Sequence, residues 1–403
     1  MTVPLPRRAF LGAELPADHL AFTQAGMRID GVTPGGMADR AGVRTGDTVV
    51  EIAGLPVRTL GELGAALRGA GEAESAEIRY TRGGELYVET IEAVRAPHEE
   101  IEGAEVVYGT LAATGARLRT IVTRVRNPRA IVLVLPGIAC ESIDGIDASL
   151  PRLVHGWAHA GVEALRFDKR GVGDSEGGPC GELDFHTELA DAAAALEVTR
   201  ARAADRGVPL VLFGHSVGGI IAASLAGKHS GGGEGDGGGG EGGGDNGDAI
   251  AGVITFGAPA SRWLECLLDT TRRQHQMRGS SPDEIERATS ELSERAFSTG
   301  VNGRSAAYHM QLEAFDPAAL WSSVRAPVLV VRGEYDWVVR DDDQARIASL
   351  VAGGADILDL PGLDHVLGWH PDREASLRDY GAGRFDTSIV PATVEWIDRL
   401  RDV

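Results

Sequence analysis

Lysine is nearly missing from this 403-residue chain: Lys169 and Lys228 are the only two among 39 basic residues. That skew fits a high-GC codon bias better than any function. There is no dense basic block, and acidic residues outnumber basic ones 59 to 39, for a formal charge of −20. A nucleic-acid binder needs cations to replace phosphate counterions, so DNA and RNA are not expected partners. Cysteine is scarce as well. Cys140, Cys180 and Cys266 leave one thiol unpaired in any scheme, and no C-x-x-C or Cys/His cluster suggests a metal. The count fits a reducing compartment. No uninterrupted apolar stretch reaches the roughly 18 residues that a membrane span needs. Arg7-Arg8-Ala9-Phe10-Leu11 looks like the opening of a twin-arginine export signal. Such a signal continues into an apolar core of roughly 7–15 residues, which Glu14, Pro16, Asp18 and His19 interrupt here. The expectation is a cytoplasmic protein.

Glycine, by contrast, is in excess: 55 of 403 residues, about twice the usual share. Twelve of them fall between Gly231 and Gly247, interspersed with Glu234, Asp236, Glu241 and Asp245. A segment with so little apolar surface cannot offset its chain entropy, so residues 230–248 are expected to form a disordered loop.

Two regions flank a transition near residues 96–103. In the first, Met27 to Val32 alternates like a strand, Pro34-Gly35-Gly36 turns, and Met37 to Gly42 is a short helix. Thr48 to Gly54 reads as a strand, Leu60 to Leu67 as an amphipathic helix, and Ala76 to Tyr80 with Leu86 to Ile91 as a hairpin around Gly83-Gly84. The second region alternates strands and helices. Ala130 to Leu135, Val162 to Phe167, Val208 to Phe213, Ile250 to Phe256, Ala326 to Val331 and Asp356 to Leu360 are strands. Ser149 to Ala160, Asp184 to Ala203, Val217 to Lys228, Asp343 to Val351 and Pro391 to Leu400 are helices. Repeated βα units imply an α/β fold with a mostly parallel sheet between helices. Between Ala258 and Trp321 the alternation stops. A strandless helical insertion over residues 258–320 is expected to cap one end of the sheet and shape its pocket.

The sharpest chemical signal is Gly214-His215-Ser216-Val217-Gly218. A buried strand precedes it and a small-residue helix follows. That turn strains the backbone at the serine and exposes its hydroxyl, and the helix N-terminus favours negative charge beside it. A serine nucleophile needs a base, and the base an orienting acid, in the order Ser, acid, His. Asp336 lies in the loop after Val328 to Arg332, and His365 in the loop after Asp356 to Leu360. Both loops leave the same sheet end as Ser216. The rival acids are Glu334, Asp341 and Asp364; the rival base is His370. An oxyanion site needs backbone donors. Val217 N–H, after the nucleophile, is one. The Ile138 N–H in Pro136-Gly137-Ile138-Ala139-Cys140-Glu141 is the other. Cys140 and Glu141 are candidates for lining the pocket, and Cys140 is a rival nucleophile.

Two resemblances follow from these residues. Residues 8–95 resemble a bacterial-type PDZ domain through Pro34-Gly35-Gly36-Met37-Ala38, Ala41-Gly42-Val43, Gly46-Asp47 and Ile52-Ala53-Gly54. The resemblance places Phe10-Leu11-Gly12-Ala13 at the loop that receives a peptide's terminal carboxylate, with the peptide added as a strand. A module that only packs on its neighbour is the alternative. Residues 104–403 resemble the α/β-hydrolase fold, in its capped esterase and serine-aminopeptidase branches, through Gly214 to Gly218, Asp336, His365 and Arg170-Gly171-Val172-Gly173-Asp174-Ser175. Acid-bearing loops of that fold typically read Gly-x-x-Asp after the strand, which favours Asp336. Many relatives carry His-Gly where this chain has Pro136-Gly137. The resemblance implies a serine hydrolase of ester, thioester or small amide bonds, with no metal and no cofactor. The alternatives are a peptidase fed by its PDZ-like domain and a non-catalytic peptide-binding adaptor.

Overall fold

The computed structural model of the chain describes residues 4–14, 21–145, 149–230 and 250–401. The acidic glycine tract expected to be disordered lies outside the described residues from position 231 onward.

An eight-stranded sheet organises the larger region. Its strands are β1 (Glu105–Ala113), β2 (Ala116–Arg124), β3 (Ile131–Leu135), β4 (Glu163–Phe167), β5 (Leu210–His215), β6 (Ile250–Phe256), β7 (Val328–Gly333) and β8 (Asp356–Leu360). They run in the spatial order β1-β2-β4-β3-β5-β6-β7-β8. β3 to β8 are mutually parallel, while β2 is antiparallel to both β4 and β1. The β1–β2 hairpin is absent from the sequence reading. Most of β1 is neither fully buried nor fully exposed, so its sequence carries no clean alternation.

β3 shows why the central strands look uniformly apolar. All five of its residues are buried. Ile131, Leu133 and Leu135 face one core with Phe185 and Ile220, while Val132 and Val134 face the other with Trp157 and Trp396. The pleat alternates sides, but both sides meet helices, so no polar residue marks the alternation. The helices are α1 (Ser149–His159), α2 (Phe185–Arg206) and α3 (Val217–Ser230), with a last helix at Ile389–Arg399. α2 starts where the Asp184 carboxylate accepts the Thr187 N–H and stops at Gly207, with φ 62°. Both ends follow ordinary capping chemistry.

The expected insertion forms helices Trp263–Met277, Pro282–Ser298, Ala306–Glu313 and Pro317–Ser323. Ala296, Tyr308, Leu312 and Trp321 join the core on the α2/α3 side of the sheet.

The N-terminal region has its own six-stranded sheet, with Leu55–Pro56 paired off its main path, and a helix, Leu60–Glu72, capped by Thr59. Met27, Met37, Val49, Ile52 and Ile78 form its core, which shares no residue with the larger region's cores. The junction between the regions is ionic. Arg7 Nη1 lies 2.5 Å from Asp144 and 2.6 Å from Asp174, and Arg8 Nη1 lies 2.8 Å from Asp144. Arg119 Nη2 donates to the Leu5 carbonyl (2.6 Å), and Arg68 in the Leu60–Glu72 helix donates to the Gly171 carbonyl (2.8 Å). The arginine pair that looks like an export signal is thus committed to structural ion pairs. No helix among the described residues is long and apolar enough to cross a membrane.

Candidate active site

The loops after β3, β5, β7 and β8 all leave the C-terminal end of the parallel strands, where ligands of open α/β sheets bind. Ser216 sits on the turn between β5 and α3 with φ 54°, a left-handed conformation that costs energy for any residue but glycine. Close packing forces the turn. A Cβ on Gly218 would stand 2.0 Å from the Leu135 carbonyl oxygen, so only glycine lets the start of α3 approach β3.

Asp336 Oδ2 and His365 Nδ1 are 2.8 Å apart, and both residues are buried. The other Asp336 oxygen accepts the N–H groups of Val338 (2.8 Å) and Val339 (3.3 Å). Burial alone would raise the Asp336 pKa, but His365 and these two amides outweigh it and hold it below the usual carboxylate value. An ionised carboxylate only accepts, so His365 Nδ1 carries the hydrogen of this bond, and in the neutral imidazole Nε2 is then the acceptor. Gly257 makes room for this pair. A Cβ there would lie 2.8 Å from the His365 ring and 3.0 Å from Asp336 Oδ2.

The rival residues have other partners. Glu334 accepts the Gly362 N–H, and Asp341 pairs with Arg332 and Arg373. Asp364 pairs with His370 at 3.0 Å. Cys140 is bridged to Cys180, which removes it as a nucleophile, and Cys266 is a buried thiol whose pKa burial pushes up to about 12. This corrects the reading of Cys140 as a rival nucleophile and of the cysteine count as fitting a reducing compartment. Disulfides are characteristic of oxidising compartments, so the cysteine content no longer supports a cytoplasmic location.

A cavity of about 470 Å³ opens between Ser216, His365 and the loop 136–143. Its apolar wall includes Ile143, Leu150, Leu367 and Phe385, and Glu141 and Arg152 add charge to its lining. None of the lining residues comes from 258–320. The expectation that the helical insertion shapes the pocket is therefore corrected: the start of α1 and the segment 380–385 do so. The insertion reaches the site from behind: Arg304 Nη1 donates to the Ile138 carbonyl at 3.2 Å, and Arg273 donates to the Trp337 and Val338 carbonyls of the Asp336 loop at 2.8 and 2.7 Å.

Ile138 lines the cavity, and Val217 opens α3 directly after Ser216. Neither the Ile138 nor the Val217 N–H donates to another group among the described residues. His215 was legible only as a spacer in the Ser216 motif. Its Nε2 lies 2.7 Å from the His365 carbonyl oxygen. Burial first and His365 second push its pKa down to about 4, so His215 is neutral near pH 7 and donates this bond.

In the N-terminal loop, Phe10 N–H is already bonded to the Val94 carbonyl (2.7 Å). The amides of Leu11 and Gly12 donate to nothing among the described residues, and Ala13–Glu14 pairs with Gly31–Val32.

A model of the family described as serine aminopeptidase, S33, matches residues 126–235, and a PDZ-domain model matches residues 28–82. The larger region has the α/β-hydrolase fold, and the region ahead of it is similar to a PDZ domain. No curated protein matches the sequence. Solved structures similar to the hydrolase part include Est1E from Butyrivibrio proteoclasticus (13% identity, 75% of this chain and 100% of that one, TM-score 0.47). A Pyrococcus furiosus esterase (13%, 76% and 96%, TM-score 0.48) and a soluble variant of monoglyceride lipase from Saccharomyces cerevisiae (18%, 76% and 99%, TM-score 0.48) are further ones.

Proposed function

We propose that this hydrolase cleaves ester, thioester or small amide acyl bonds through an acyl-enzyme on Ser216. The observation that carries the reading is the buried Asp336–His365 pair at 2.8 Å, whose His365 borders the same cavity as Ser216, a serine at φ 54°. His365 Nε2 takes the hydroxyl proton as Ser216 Oγ bonds to the carbonyl carbon. The carbonyl π electrons move to oxygen, and the Ile138 and Val217 N–H groups stabilise that oxyanion. Asp336 keeps the imidazole in its productive tautomer and offsets its charge. The oxyanion then collapses, the bond to the leaving group breaks, and His365 returns the proton to that group. Water, deprotonated by His365, hydrolyses the acyl-enzyme by the same route in reverse.

The test is covalent labelling with a fluorophosphonate. Wild type should label and Ser216→Ala should not; unlabelled wild type defeats the reading.

A second reading, that the PDZ domain holds a peptide C-terminus, rests on the unpartnered amides of Leu11 and Gly12. Fluorescence polarisation with peptides of free and amidated C-terminus, on the full chain, separates binding from packing. Equal binding of the two forms, or none, removes it. Peptide turnover by the same full chain would extend the acyl chemistry to peptidase action. An adaptor would bind peptide while Ser216 stayed inert to the probe.

A further inference from the structure

The mechanism above leaves a buried cationic cluster unused, directly behind the oxyanion loop. Lys169 is one of only two lysines in the chain, and it is 4% exposed. Its Nζ donates to the Gly137 carbonyl and lies 2.8 Å from Glu188 Oε1. Glu188 also pairs with Arg304, and both are buried. Two cations therefore share one carboxylate, and the excess positive charge sits against the backbone of residues 137–138. Taking an ammonium out of water is expensive. Burial pushes the Lys169 pKa down and Glu188 opposes the shift. Such a group needs a reason to be there beyond packing.

The backbone supplies one. Gly137 C=O and Ile138 N–H belong to the same peptide unit, and the only cis bond among the described residues is Gly178–Pro179. In a planar trans peptide the C=O and N–H point in opposite directions. A cation gripping the carbonyl from behind aims the N–H away from itself. Gly137 and Ile138 line the cavity together with Ser216, and a Cβ on Gly137 would lie 3.2 Å from the Ser216 Cβ. The same cation draws electron density toward the carbonyl oxygen and so makes the N–H a stronger donor.

We propose that Lys169 is a positioning residue for the oxyanion site: by holding the Gly137 carbonyl it aims and polarises the Ile138 N–H toward the oxygen that gains charge during acyl transfer. The inference rests on the acyl-enzyme reading. Arg304, on the Ile138 carbonyl, holds the next peptide unit from the same side. A compact ammonium suits the single carbonyl better than a planar guanidinium would.

The test compares wild type, Lys169→Met and Lys169→Gln on an activated ester, with the active fraction counted by fluorophosphonate titration. A group that acts on the transition state changes kcat and leaves KM nearly alone. Losing a whole oxyanion donor costs about 10²–10³-fold. Weakening one should lower kcat by about 10²-fold in Lys169→Met and by about 10-fold in Lys169→Gln, which keeps a neutral donor. Affinity for a trifluoromethyl ketone, which forms a tetrahedral adduct with the serine, should fall by the same factors while KM moves less than about 3-fold. If kcat per active site stays within 2-fold of wild type in either folded variant, or KM rises by the same factor as adduct affinity falls, the proposal is overturned. If neither variant folds, wild type bound to a boronic acid decides. Ile138 N–H on the boronate oxygen, with Lys169 still on Gly137, supports it; any other arrangement overturns it. A wild type that takes no fluorophosphonate would instead defeat the acyl-enzyme reading.

Discussion

Two buried histidine–aspartate pairs meet on the loop after β8. His365 pairs with Asp336 at 2.8 Å, and the neighbouring Asp364 pairs with His370 at 3.0 Å. Burial and distance scarcely separate them. Access does: His365 borders the cavity with Ser216, while His370 does not. Their local wiring differs too. Asp336 reaches across from the β7 loop, so its pair joins two strand ends. Asp364 bonds within its own loop, where Oδ1 accepts the N–H groups of Val366 (2.9 Å) and Gly368 (2.7 Å) around Leu367 at φ 66°. In the proposed function, the first pair is the one set for proton transfer. The other holds the turn that presents it.

The largest effect that would break this contrast is Asp336→Asn, which removes the acceptor that fixes the His365 tautomer. Steady-state kinetics should show kcat down by about 10⁴-fold with the fold intact by circular dichroism. A loss under 10-fold would mean that the two pairs are interchangeable. Asp364→Ala should act in the opposite proportion. It leaves two loop N–H groups without their acceptor and should cost about 2–4 kcal/mol in urea unfolding, with kcat reduced only about 10-fold by a looser His365. If its kcat loss matched that of Asp336→Asn, the division of labour would be wrong.

The smallest effect concerns His215, which holds the His365 carbonyl from the serine side. Its folded pKa of about 4 lies below the ordinary 6.5. Between those values the unfolded chain binds a proton that the folded chain refuses, so this contribution to stability is complete above about pH 6.5 and is lost as pH falls toward 4. His215→Asn keeps a donor but does not titrate. Its stability should match wild type near neutrality and fall less steeply with acid, as denaturant midpoints from pH 7 to 4 would show. Parallel curves would mean that His215 is not held as a neutral donor.

The strands and helices of the hydrolase region follow their sequence patterns closely because each pattern is local: apolar runs of five to seven residues, capping residues, and glycine where a chain must turn. The antiparallel β1–β2 hairpin escaped because β1 is a partly covered edge strand and β2 buries the polar residues Arg119, Thr120 and Thr123, so neither leaves a sharp pattern. Ser216 was legible for a related reason. Its strain, its preceding strand and its following helix are encoded within about ten residues. The Asp336 reading needed the fold's loop habit as well, since Glu334 and Asp341 stand only a few positions away.

The sequence by itself determined the order of elements, the serine at a strained turn, and the two loops that could carry its acid and base. Tertiary structure alone decided which carboxylate meets which histidine. It also bridged Cys140 to Cys180, turned Arg7 and Arg8 into ion-pair partners of Asp144 and Asp174, and built the cavity wall from residues 149–152 and 380–385 rather than from the helical insertion. It brought Lys169, Glu188 and Arg304 behind Gly137 and Ile138. The physical reason is range. Period and capping act between near neighbours, whereas these meetings join residues up to about 170 positions apart, and only the β4-β3-β5 strand order carries their loops to one end of the sheet.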